Sequence, residues 1–88
     1  MYAIAVYDVE AKRCPKMLKL CRKFLNHIQN SVFEGEMTES QAERLKVEAL
    51  RIMKPEEGDS LIIFSTDSQK WMGKEIVGAD KKPTDSFI

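Results

Sequence analysis

The sequence predicts an α+β sandwich of order β-α-β-β-α-β, followed by one additional C-terminal strand. Three observations carry this expectation. Two β-rich apolar runs, "YAIAVYD" and "SLIIFST", stand far apart in the chain, each with the length and polar borders of a buried strand. Two stretches between them repeat apolar residues at three- and four-residue spacing, as amphipathic helices require. Between those stretches, "HIQNSVFEGEMT" holds β-formers interrupted by Asn30-Ser31, a kink or tight connection. That order is the split βαβ of a ferredoxin-like fold, one antiparallel sheet with two helices on one face. Its other face is bare, and twofold pairing through it with a second copy is the simplest cover.

The first strand places Ala3, Ala5 and Tyr7 on one side and Tyr2, Ile4, Val6 and Asp8 on the other. Being apolar on both sides, it reads as a central strand. Pro15 suits a first helical turn, and Met17, Leu18, Cys21, Phe24, Leu25 and Ile28 continue the buried stripe. Lys12, Lys16, Lys19 and Lys23 recur on the opposite face. Thr38 with Gln41 is a capping-box signature that opens the second helix, whose apolar face is Ala42, Leu45, Ala49, Ile52 and Met53. Pro55 stops it, and "PEEGD" is a loop. "SLIIFST" reads as a core strand, and "WMGKEIVG" as a weak edge strand. Residues 1–78 are expected to form one domain, and 79–88 a polar tail ending in Phe87 and Ile88.

Eighty-eight residues leave no room for a second core. A chain of this size buries only about 60–65% of its unfolded surface, so burial against a partner would help it. An apolar content of 43% is too high for a disordered chain. No apolar run approaches a membrane span, and the start lacks the pattern of a secretory signal; the expectation is a cytoplasmic domain. Cys14 and Cys21 lie on one face of the first helix, roughly 10 Å apart. That is too far for a disulfide, and they read as small core residues.

Net charge is zero, yet its distribution is uneven. Six Lys/Arg face one acid between Glu10 and Asn30, and eight acids face four bases between Glu34 and Asp59. One surface should therefore attract anions. A lysine stripe on a helix is either a solvated face or a row of phosphate contacts.

Most catalytic constellations are excluded. His27 is the sole histidine, and no nucleophile elbow, Cys/His pairing or phosphate-cradling glycine loop is present. What remains is carboxylate chemistry or binding. Two roles fit Asp8 at the end of the first strand: a local turn or helix-capping acceptor, or a ligand to a cation. One carboxylate is a poor magnesium site, but twofold pairing would bring two copies of Asp8 together, and a cation between them could activate a phosphodiester. His27 is expected near the end of the first helix, where the dipole favours its charged form.

"YAIAVYDV", "QNSVFEGEMT" and "DSLIIF" together resemble the CRISPR-associated protein two family, the small partner of the CRISPR integrase. The likeness runs from Met1 to about Phe64, and the "PTDSFI" tail resembles endings in part of that family. The related virulence-associated protein D toxins, endoribonuclease-like, are the nearest alternative; a non-catalytic nucleic-acid-binding module is another.

The resemblance implies a homodimer acting in CRISPR spacer acquisition, bridging integrase dimers and holding protospacer DNA. It also implies a nuclease dependent on magnesium, or another divalent cation such as manganese, that cuts single-stranded RNA or double-stranded DNA. The family's metal-binding aspartate falls on Asp8, and its basic residues at the start of the first helix on Arg13 and Lys16. Its near-site phenylalanine falls on Phe33, beside Tyr7 at the strand end. His27 stands where many members carry arginine; an imidazole cannot make a forked phosphate contact. Lys19, Lys23 and His27 complete the expected nucleic-acid-binding set. An apolar pair ending a polar tail suits strand addition to the integrase.

Overall fold

The computed structural model describes residues 1–67. The expected edge strand around Trp71 to Ile76, the boundary at residue 78 and the tail with Phe87 and Ile88 lie outside the described residues.

Strands β1 (Tyr2–Asp8), β2 (Asn26–Gln29), β3 (Val32–Glu36) and β4 (Ser60–Thr66) form one sheet in the order β2-β3-β1-β4, every neighbouring pair antiparallel. Helix α1 (Cys14–Arg22) connects β1 to β2, and α2 (Glu39–Ile52) connects β3 to β4. This is the ferredoxin-like arrangement, with β1 in the interior of the sheet as its two apolar sides require.

Strand alternation separates two faces. Ala3, Ala5 and Tyr7 are buried in one core cluster with Met17, Leu20, Cys21, Phe33, Leu45 and Ala49. The expected capping box opens α2: the Gln41 N–H donates to Thr38 Oγ1 at 3.0 Å, and the Thr38 N–H donates to Gln41 Oε1 at 2.9 Å. A single left-handed residue, Asn30 at φ 43°, makes the β2–β3 reversal, a conformation asparagine tolerates better than most residues.

Two expectations are corrected. Helix α1 ends at Arg22, where the last turn tightens: the Lys23 and Phe24 N–H groups bond carbonyls three residues back, those of Leu20 and Cys21. Leu25 is still buried, so the apolar spacing continues after the helix has stopped. His27 and Ile28 consequently belong to β2. Strand β4 borders only β1 among the described residues and is covered on one face only. Leu61 and Ile63 pack on the core, while Ile62 and Phe64 are 51% and 56% exposed.

The uncovered face carries an apolar strip along β1 and β4, with Glu34 and Glu36 at its β3 border. Val6 lies between Val32 and Ile62, and Ile4 between Glu34 and Phe64. Asp8, opposite Ser60, ends that strip.

Candidate functional site

Asp8 is exposed at the last position of β1. No hydrogen bond or ion pair reaches its carboxylate among the described residues, so the local capping role is not taken up. The backbone group that such a cap would satisfy, the Glu10 N–H, donates instead to Asp59 Oδ1 at 3.0 Å.

Asp59 was not singled out by the sequence, where it ends a charged loop. Gly58 precedes it at φ 94°, closing the short 3-10 turn Pro55–Glu57, and returns the chain so that Asp59 faces inward. Its Oδ2 accepts the Lys54 N–H at 2.9 Å and Arg13 Nε–H at 2.5 Å. Arg13 Nη2 reaches Glu57 Oε1 at 3.1 Å and Glu10 Oε2 at 3.4 Å. The Arg13 hydrogen bond, helped by two backbone N–H groups, holds the Asp59 carboxyl far below the usual carboxylate range. The same guanidinium lowers Glu57. Arg13 is only 6% exposed. The expected phosphate-binding arginine thus commits Nε and Nη2 to an internal ion cluster, while its side chain also lines a hollow with Lys12 and Lys16.

The lysines do come together. Lys16, Lys19 and Lys23 line one wall of a hollow of about 340 Å³ between the helices, and Glu48, Arg51 and Ile52 line the other. A second hollow of about 390 Å³ extends past Lys16 and Arg51 to Lys12 and Lys54. Lys23 pairs with Glu48 at 3.6 Å and Lys12 with Glu10 at 3.7 Å. Burial raises the Glu48 carboxyl, but hydrogen bonding from Arg44 and the Lys23 charge outweigh it and leave it lowered. Lys16, Lys19, Arg51 and Lys54 make no side-chain ion pair among the described residues. Arg51 and Lys54 enter this group only because the end of α2 lies beside α1, a juxtaposition that spacing within one helix does not reveal.

Phe33, expected near the acid, is fully buried on the helix side. It stands in register opposite Ala5, and Tyr7 stacks on it with ring centroids 6.0 Å apart. Both aromatic side chains therefore lie on the sheet face opposite Asp8. His27 is paired with Phe33 across β2 and β3, ahead of a bulge before Gln29. Its ring stacks on Phe33 at 4.7 Å, and its Nε2 lies 2.6 Å from the Asn30 carbonyl oxygen. That anchors the imidazole in a turn and not at a helix terminus.

The cysteines are free, and burial pushes the Cys21 thiol up to about 12, which makes it unreactive. Among the described residues no group of three His, Cys, Asp or Glu side chains could hold a metal ion. One subunit offers a cation the single carboxylate of Asp8. Magnesium keeps several waters and uses one or two carboxylates plus phosphate oxygens, so the donor set fits the ion when two copies share it.

Comparison with known proteins places these features in context. The family profile described as CRISPR associated protein Cas2 matches residues 1–73. The chain is 46% identical to a CRISPR-associated endoribonuclease Cas2 of Thermotoga maritima, covering 100% of this chain and 99% of the relative. It is 46% identical to the protein of that name from Methanocaldococcus jannaschii, covering 100% and 76%. Among solved structures, a Cas2 crystal structure superposes with a TM-score of 0.84 at 40% identity, over 94% of this chain and 92% of the other. Streptococcus pyogenes Cas2 at pH 6.5 gives 0.73 at 25% identity, over 88% and 100%.

Proposed function

This chain belongs to the CRISPR-associated protein Cas2 family, and from that premise we propose that it is a homodimeric, metal-dependent endonuclease of CRISPR adaptation. The observation that carries this reading is Asp8: a carboxylate with no partner among the described residues, at the end of an exposed apolar strip. Burying Ile62, Phe64, Ile4 and Val6 against a second copy stabilises the pair at about 25 cal/mol per Å² of apolar surface. It also brings two carboxylates close together, and like charges at short range favour a cation between them.

Asp8 from each copy would hold magnesium or manganese, and the ion supplies Lewis-acid polarisation of a phosphodiester. The chain's own residues do the rest. Lys16, Lys19, Arg51 and Lys54 hold the nucleic-acid backbone by charge, a contact that positions without reading sequence. Single-stranded RNA is the first substrate class, since the relatives are named endoribonucleases; double-stranded DNA is the second. In adaptation the dimer serves as a bridge between integrase subunits, with the tail carrying Phe87 and Ile88 as the docking strand. The setting is the cytoplasm; no helix among the described residues is long and apolar enough to cross a membrane.

The test pairs RNA cleavage with spacer acquisition, using wild type and Asp8→Ala. Loss of cleavage with acquisition intact supports a nuclease whose bridging role is separable. Cleavage that survives the substitution removes Asp8 from the chemistry.

A further inference from the structure

Asp8 is the last residue of its strand, where backbone pairing ends, and one carboxylate pins the chain just beyond it. Asp59 immediately precedes Ser60, the cross-strand partner of Asp8. Its Oδ1 accepts the N–H of Glu10, two residues beyond Asp8. Its Oδ2 accepts from Lys54 N–H and from Arg13 Nε–H. Arg13 in turn grips Glu10 and Glu57. The side chains of Arg13 and Asp59 are 7% and 2% exposed.

We propose that Asp59 and Arg13 are a positioning pair that fixes the end of β1 and so aims the Asp8 carboxylate. This rests on Asp8 being the cation-binding acid. The pair acts on Asp8 through the backbone and side chain of Glu10. A metal-binding carboxylate must be held within about 0.5 Å of its productive place by its supporting shell, and this cluster is what supports Asp8. The chemistry demands an aspartate. Both oxygens act as acceptors toward three donors from two segments, Glu10 and Arg13 after β1 and Lys54 after α2. An asparagine turns its amide N–H₂ against one of those donors, and a glutamate is one methylene too long. Arg13 neutralises Asp59, so the positioning charge does not compete with Asp8 for the cation.

This assignment separates Arg13 from a phosphate-contact role by kinetics. The experiment uses the full-length dimer and measures kcat and KM for single-stranded RNA with magnesium. It also measures manganese affinity without RNA, by electron paramagnetic resonance. Asp59→Asn, Arg13→Gln and the double variant are expected to lose about 10–100-fold in kcat and in manganese affinity, with KM unchanged. The double variant should be no worse than the worse single one, because the two residues act through each other. Asp59→Glu keeps the charge and the fold, confirmed by an unchanged dimer mass and circular dichroism, and should still lose kcat. Wild-type kcat and manganese affinity in Asp59→Asn or Asp59→Glu would overturn the proposal, as would a rise in KM alone in Arg13→Gln. Asp8→Ala is run in parallel: if it cleaves and binds manganese as wild type does, the reading of Asp8 fails first and the positioning role with it. If Asp8→Ala is dead while the Asp59 variants are normal, only the positioning role fails.

Discussion

His27 lies against Phe33 with ring centroids 4.7 Å apart and an interplanar angle of 19°. The two residues are direct cross-strand partners, and Tyr7 stacks on the same Phe33 ring. His27 is thus a packing residue at the border of the core. Its substitution acts on stability before it acts on nucleic acid.

Replacing His27 by alanine is expected to cost about 0.5–1.5 kcal/mol, the worth of a stacked aromatic pair beyond its buried area. Phe33→Ala should cost about 3–5 kcal/mol, as for other fully buried aromatic residues. Denaturant titration reads both. Equal losses at the two positions, or a weakened salt dependence of RNA binding in His27→Ala, would contradict this assignment.

The basic groove predicts a different signature. Lys19→Glu with Arg51→Glu, one substitution on each helix wall, should lower RNA affinity and flatten its salt dependence by roughly 0.7 per lost phosphate contact on a single strand. Either helix alone should show half the effect. Binding isotherms across a salt series measure it, and an unchanged slope would return these side chains to the solvated surface.

The Arg13 cluster predicts acid lability. The Asp59 and Glu57 carboxyls sit below their ordinary values in the fold, so the folded state binds fewer protons than the unfolded chain. Stability from these groups is fully present above their unfolded values, about 3.9 and 4.3. It is lost progressively as pH falls below them. The midpoint of thermal unfolding should therefore drop below about pH 4 in wild type, and less steeply in Asp59→Asn, which starts from a lower midpoint. Parallel pH profiles in the two proteins would contradict the cluster's contribution.

Gly58 carries the turn that presents Asp59. At φ 94°, an alanine is expected to cost about 1–2 kcal/mol for backbone conformation alone, since among the described residues nothing lies near enough to clash with its Cβ. Chemical denaturation checks this. An unaffected Gly58→Ala would mean the turn relaxes without disturbing Asp59.

What could be read from the chain was local. The face of β1 that meets the helices, the Asn30-Ser31 reversal and the Thr38–Gln41 cap all follow from residues within one or a few turns of each other. The end of α1 is hidden in the sequence because Leu25 keeps helical spacing while a turn, not the helix, buries it. An apolar run such as "LIIF" looks the same in a core strand as in one whose outer face awaits a partner. Asp59 escaped notice because its partner Arg13 is 46 residues away; the only signal was an acid directly between a glycine and an apolar strand. Arg51 and Lys54 escaped for the same reason, since packing between helices brings them to the lysines.

The most direct test is the stoichiometry of manganese binding to the intact protein, with mass measured in the same solution. Two chains per particle and one ion per two chains, lost together with the binding signal in Asp8→Ala, is the predicted result. Single chains in solution, or one ion per chain that survives the removal of Asp8, would contradict a cation shared by paired acids.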